Sequence, residues 1–269
     1  MRIVLMGTGN VATRLGLALQ ANNSEIVQVF GRSETKASHL AGLLGAPFTT
    51  SKSQLSRDAD VYILAVSDDA ITEMAANLFP GGDRLIVHTA GSTPMDVLAP
   101  FSANYGVLYP LQTLSLQKEV DFSQVPVCIE ANSEENLEKI QALATTISDQ
   151  VVRMDSLHRR QLHLAAVFVC NFVNHLYAVG EELLNEQNLD FDLLRPLILE
   201  TAGKAMQFSP QTVQTGPAVR GNLTIMENHL KMLEQHSEWQ KIYGLLSKDI
   251  SKKTGRREDN QDEGKTSIS

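Results

Sequence analysis

Basic residues are scarce in this 269-residue chain: 23 Lys and Arg face 31 Asp and Glu, a formal net charge of −8. A non-specific nucleic-acid binder needs a basic surface, so that class is excluded, although a local basic pocket for one phosphate is not. Cysteine is nearly absent. Cys128 and Cys170 stand in apolar runs with no C-x-x-C and no Cys/His metal spacing. This excludes a disulfide framework and a cysteine-held metal, and reads as buried thiols in a reducing compartment. Long apolar runs are missing too. The most apolar stretch, residues 164–173, is shorter than the ~20 residues of a membrane-crossing helix. It is broken by Asn171 and closed off by Asn174 and His175. Met1 leads straight into a strand pattern rather than a signal peptide. The expectation is a cytoplasmic protein with no membrane, nucleic acid or metal as partner.

What is present begins at residue 3. Ile3 to Met6 form an apolar run that reads as a buried strand. It passes into Gly7-Thr8-Gly9-Asn10-Val11-Ala12 and then into a helical pattern of Val11, Leu15, Leu17 and Leu19. Strand, glycine turn and helix with G-x-G-x-x-A spacing make a dinucleotide site. Gly7 permits the tight turn, Gly9 lets a pyrophosphate approach the backbone, and Ala12 lets the helix pack close to the strand. The helix N-terminus offers free N–H groups and a positive dipole end. Gly7, Thr8, Gly9, Asn10 and Val11 are the candidate contacts, with Asn10 alternatively a simple helix cap. The rival reading of the motif is a βα turn without a ligand.

The second strand, residues 25–30, ends in Gly31-Arg32-Ser33. An acid near this strand end takes the ribose hydroxyls of NAD, whereas arginine and a hydroxyl suit the 2′-phosphate of NADP. Arginine is a planar, always-charged fork for phosphate. Arg32 and Ser33 therefore favour NADP, with Lys36 adding charge one turn on. The alternative is a surface arginine in a turn.

A helix (36–44), a short strand (47–49) and a continuous buried strand (60–66) follow. The last runs into Ser67-Asp68-Asp69, where the acids suit a helix start. Open α/β sheets place ligands at the carboxyl edge, which puts Val66 and Ser67 beside the cofactor. A strand at 85–88 ends in His88, followed by a loop carrying Ser92, a candidate substrate contact. His88 is a candidate cofactor contact or else a satisfied core histidine. A strand at 105–108 leads to a predicted loop, Tyr109-Pro110-Leu111-Gln112-Thr113, from which Tyr109 and Gln112 face a substrate. A strand (127–129), a helix (133–148) and a strand (150–154) complete the alternation. Residues 1–155 thus read as an α/β domain, a Rossmann-like doubly wound sheet.

From residue 156 the pattern is all helical, which marks a second domain at 156–250 for substrate binding or dimerisation. Residues 251–269 are polar and charged, and read as a disordered tail. Residues 157–188 read as one long helix carrying His163, Asn171, Asn174 and His175. On a 3.6-residue repeat Asn171, Asn174 and His175 share a face, with His163 near the same stripe. Polar groups on an apolar helix imply a structural network, a ligand or an interface. They are the candidate catalytic residues. Arg220, in a loop between Gly216 and Gly221, is a candidate clamp for a substrate carboxylate, or part of a plain connector.

These residues resemble a family. Gly7-x-Gly9-x-x-Ala12, Gly31-Arg32-Ser33 and the strand ending Ile63-Leu-Ala-Val66 are similar to the 6-phosphogluconate dehydrogenase-like superfamily. That superfamily includes pyrroline-5-carboxylate reductases and deazaflavin-dependent NADP oxidoreductases. Taken with His88-Thr-Ala-Gly-Ser92, Tyr109-Pro-Leu-Gln112, Asn171-x-x-Asn174-His175 and Gly216-Pro-x-x-Arg220-Gly221, the resemblance is to NADP oxidoreductases that join a Rossmann-like domain to a helical C-terminal domain. It covers nearly all of residues 1–250. It implies an NADP-dependent two-domain oxidoreductase, dimeric through the helical domain. One departure matters. The hydroxyacid dehydrogenases of the superfamily use a lysine on the first long C-terminal helix, and none stands between Ser156 and Asn188. Any proton donor must be His163, His175, His88, Tyr109 or a held water. The leading expectation is hydride transfer to or from a small anionic carbonyl or imine. Alternatives are an NADP-binding sensor without turnover and, behind it, a methyltransferase.

Overall fold

A computed structural model describes residues 1–76, 78 and 84–253. The chain divides into two compact units, Met1–Val173 and Asn174–Ser269. The sequence pattern changes at residue 156. The boundary between the units falls further on, inside the continuous helical run Ser156–Asn185.

The first unit is built on eight strands: β1 (Arg2–Met6), β2 (Glu25–Phe30), β3 (Phe48–Thr49), β4 (Val61–Leu64), β5 (Leu85–His88), β6 (Asn104–Pro110), β7 (Val127–Ala131) and β8 (Val151–Arg153). They lie in the order β3-β2-β1-β4-β5-β6-β7-β8. Every neighbouring pair is parallel except β6 with β7, which run antiparallel. The strand order reverses between β1 and β4, so the crevice where such sheets bind ligands opens beyond the carboxyl ends of those two strands.

Strand alternation explains the two apolar layers. Ile3 and Leu5 point to one face and pack with Ala12, Leu15 and Leu19 of α1 (Asn10–Ala21) and with α2 (Glu34–Leu43) and α4 (Glu134–Thr145). Val4 and Met6 point to the other, against Ile71, Met74 and Ala75 of α3 (Asp68–Ala76). Both faces are covered, which is why β1, β4 and β5 read as continuous apolar runs.

Three expectations change. Tyr109 and Pro110 belong to strand β6 rather than to a loop: β7 pairs antiparallel with β6 and extends the ladder to Pro110. The helix expected at 157–188 is α5 (Ser156–Ala166), a π-helical stretch at Val167–Phe172, and α6 (Val173–Asn185). A π-turn shifts the facing of everything after it, so a single 3.6-residue wheel misplaces the later side chains. The run Ser156–Asn185 as a whole is also long and apolar enough to cross a membrane by length and composition, which the ten-residue stretch taken alone is not.

The second unit is helical. After α6 come α7 (Arg195–Gln207), α8 (Pro217–Arg220), α9 (Leu223–Met232) and α10 (Ser237–Lys253). Helix α10 includes residues 251–253, the start of the expected tail. The rest of that tail, 254–269, lies outside the described residues.

Candidate dinucleotide cleft and active site

The turn after β1 is shaped by steric exclusion. Gly7 has φ of +124°, and a Cβ there would collide with the carbonyl oxygen of Ala65, so only glycine lets β1 and β4 lie side by side at this point. Gly9 is the N-cap of α1 and makes no side-chain cap. Beyond its Cα there is open space. The first N–H groups of α1 are left for a ligand, whereas Ser or Asp at this position would take one for itself. This cradle fits a pyrophosphate.

A cavity of about 640 Å³ opens over it, lined by Gly7, Thr8, Gly9, Asn10, Val11, Arg32, Ser33, Lys36, Val66, Ser67 and others. Arg32 and Lys36 are exposed. The Ser33 hydroxyl accepts from the Lys36 N–H at 3.5 Å as the cap of α2, so its lone pairs are shared between helix and cleft. Asn10 does not cap α1. Its side-chain amide donates to the carbonyl of Leu114 at 3.1 Å. Arg14 donates to the carbonyls of Ser115 and Leu116 at 2.9 and 2.8 Å. Together they tie the segment after β6 to α1, beside the cleft.

A second cavity of about 1,090 Å³ shares Val11, Val66, Gln112 and Leu114 with the first. It is walled by Asp68, Gly91, Tyr109, His163 and Asn171, among others. The Tyr109 hydroxyl and His163 Nδ1 lie 3.0 Å apart, with the rings edge to face. A Cβ on Gly91 would come within 2.7 Å of both rings, so Gly91 is the seat on which the pair rests. Burial, and then the neighbouring Cys128, push the Tyr109 hydroxyl up to about 12, with Arg159 opposing. It therefore stays protonated at neutral pH.

His88 is corrected. It is fully buried and lines neither cavity. Its Nδ1 accepts from the Ala90 N–H at 3.2 Å. Burial, then the nearby Arg159 charge, lower it to about 4, so it is a neutral core histidine. The expected shared face of Asn171, Asn174 and His175 is also corrected. Asn171 lines the second cavity. Asn174 lines a separate groove in the helical unit with Tyr177, Glu181, Phe191 and Arg195, and His175 lines no described cavity. The π stretch between His163 and Asn174 is the reason. Ser92 also leaves the wall: its hydroxyl donates to Asp68. Arg220 lies on α8, capped by Gly216 and Gly221, and lines no described cavity. Those glycines stand at the two ends of the helix.

Sequence reading missed Arg159. It is fully buried on α5 and pairs with Glu130 of β7. It also donates to the Thr93 carbonyl at 2.6 Å and to Ser156 Oγ at 3.2 Å. Arg159 stands one turn before His163, so this anchor docks the same helix face that carries the histidine. An arginine in an apolar helical pattern was the only available signal. Cys170, expected buried, is half-buried and lines the second cavity.

A glycine cradle at a sheet's switch point, with a second cavity abutting it, defines a Rossmann-type nucleotide-binding fold. Similarity to known proteins gives the family. Residues 2–90 match the family described as NADP oxidoreductase, coenzyme F420-dependent, and residues 125–250 match a domain of unknown function, DUF2520. A Bacteroides fragilis protein with the provisional name NADP oxidoreductase superposes with a TM-score of 0.89 at 45% identity, covering 93% of this chain and 98% of that one. The chain belongs to this family of NADP oxidoreductases with a DUF2520 C-terminal domain. A Thermotoga maritima protein (TM-score 0.75, 21% identity, 94% and 100% covered) shares the fold. So does a reductive aminase from Aspergillus terreus (TM-score 0.71, 15% identity, 95% and 94% covered), solved with cyclohexanone and allyl amine. No curated protein matches the sequence.

Proposed function

We propose that the protein is an NADP(H)-dependent oxidoreductase that transfers hydride to or from a small carbonyl or imine. The observation that carries this is the pair of adjoining cavities on one sheet edge, a dinucleotide cradle beside a chamber that holds the Tyr109–His163 pair. When bound, the nicotinamide supplies or accepts the hydride. Gly9 and the α1 N-terminus hold the pyrophosphate, and Arg32, Ser33 and Lys36 take the 2′-phosphate. Val11 and Val66 form the apolar wall common to both cavities. The Tyr109 hydroxyl is the proton donor, and His163 Nδ1 returns the proton to it. Asn171 orients the substrate from the same wall, with Gln112 between the two cavities. The family description also names coenzyme F420; the Arg32, Ser33 and Lys36 cluster is what favours NADP(H) here.

The helical unit exposes Leu197, Leu199, Met206 and Met232, and a second copy is the partner that covers this surface, as the sequence resemblance implies. The cytoplasm, which keeps Cys170 reduced, suits a thiol on the cavity wall.

Titration of NADPH and NADH followed by fluorescence tests the cofactor. NADPH binds tighter, and Arg32→Ala weakens NADPH by about tenfold or more while barely moving NADH. Tighter NADH binding in the wild type sinks the assignment. Strong NADPH binding without oxidation across keto acids and imines favours the rival reading of a sensor, for which the missing lysine on 156–188 is the supporting observation.

A further inference from the structure

The second cavity contains a carboxylate whose position is set by the fold. Asp68 opens α3 immediately beyond β4, and its side chain is on the cavity wall with Val66, Gly91, Tyr109 and His163. One oxygen, Oδ2, accepts from the hydroxyls of Ser92 and Thr93, the latter at 3.0 Å. Those two bonds fix the rotamer. No described residue bonds Oδ1, so the second oxygen is left for a ligand. Asp68 stands in the first turn of α3, where an acidic side chain suits the helix N-terminus. No arginine is among the residues lining this cavity, and its one lysine, Lys118, is accompanied by Glu119 and Asp121. An anionic substrate would meet a fixed negative charge here with no matching fork. A cationic one would meet a counter-charge beside the shared Val66 wall.

We propose that the second cavity takes a cationic substrate, a protonated imine or the corresponding ammonium product, with Asp68 as its counter-charge and specificity residue. This rests on the cavity being the place of hydride transfer. Protonation of the imine nitrogen by the Tyr109–His163 pair makes the carbon electrophilic, and the Asp68 carboxylate favours that charged form over the neutral imine. In the reductive direction the hydride of NADPH forms the new C–H bond. The C=N π pair moves to nitrogen and cancels its charge. The products are an amine and NADP⁺. The Tyr109 hydroxyl is consistent with this layout, since Asp68 is among the nearby charges that hold it protonated.

The test is calorimetric, on the NADP⁺-loaded full chain at pH 7.5, with three probes of similar shape: benzylammonium, benzyl alcohol and benzoate. Benzylammonium binds about tenfold tighter than the other two. Asp68→Asn, which keeps acceptor geometry for Ser92 and Thr93, removes that preference. The double variant Ser92→Ala, Thr93→Val breaks the staple and keeps the charge, and it retains the preference. A benzoate preference in the wild type overturns the proposal, and so does an ammonium preference that survives Asp68→Asn or disappears in the staple variant. NADPH titration of the same samples separates the two levels. Lost charge preference with NADPH still bound refutes only the cationic substrate, whereas a wild type that does not bind NADPH refutes the oxidoreductase reading beneath it.

Discussion

Gly91 shows how little room the proposed chemistry has. Its missing side chain is the space occupied by the Tyr109 and His163 rings, at 2.7 Å from an added Cβ. Gly91→Ala should displace the pair and lower kcat by about tenfold or more, because small misplacements at a reacting centre are costly. NADPH affinity, set on the other side of Val66, should stay within about twofold. An unchanged kcat in steady-state assays would remove the pair from the mechanism. His88 is the residue-scale control of stability. Its folded value of about 4 is below the ordinary 6.5, so between pH 6.5 and pH 4 the unfolded chain binds the proton that the folded chain refuses. Stability is therefore intact above pH 6.5 and falls as pH drops through this window, by up to about 3 kcal/mol. Urea denaturation from pH 7 to 4 measures this slope, and His88→Gln should flatten it.

At the scale of elements, α5 is held by an ion pair rather than by apolar packing alone. Arg159 joins Glu130 of β7 and reaches back to the Thr93 carbonyl, while Ser156 Oγ donates to Glu130 at 2.8 Å and accepts from the Met95 N–H at 2.9 Å. Helix, strand and the loop after Gly91 are thus pinned at one point. Breaking a buried pair by removing one partner costs about 3–5 kcal/mol, since the other charge is left stranded. Arg159→Met should lose an amount at the lower end of that range in chemical denaturation, because the stranded Glu130 keeps some solvent contact, and Glu130→Gln at least as much, because the stranded Arg159 is fully buried. Retained stability in Arg159→Met would show that the pair is dispensable. The π stretch that follows α5 is the second element-level device. It lets His163 and Asn171 face one cavity and turns Asn174 toward another groove.

For the whole molecule, the large apolar side chains exposed on the helical unit are the main energetic problem. Leu199 is 73% exposed, Met206 87% and Met232 78%. A soluble monomer rarely shows so much apolar surface over one region. Light scattering after size exclusion should give twice the chain mass, with a Tm that rises with concentration. Leu199→Glu combined with Met206→Glu should yield a monomer of lower Tm. A wild-type monomer at micromolar concentration would refute the dimer.

The local parts of this protein were legible in its sequence because local sterics produce them. The strand character of β1, β2, β4 and β5, the glycine turn and the absence of an acid at the end of β2 are properties of neighbouring residues, and the structure shows the same strands and turn with the cradle at the switch point. The strand character of Tyr109, the break in the long helix and the burial of His88 were not legible. Each depends on a partner far along the chain: β7 for Tyr109, the packing of α5 and the π stretch for the helix, and the sheet core with Arg159 for His88. Tyr109 and His163 are 54 positions apart, a separation at which no periodicity can relate them. Sequence by itself determined the strand, the glycine turn and the helix that form the cradle. Only tertiary structure decided what stands beside it, since a pairing between β6 and α5 exists only once Arg159 has docked the helix onto the sheet.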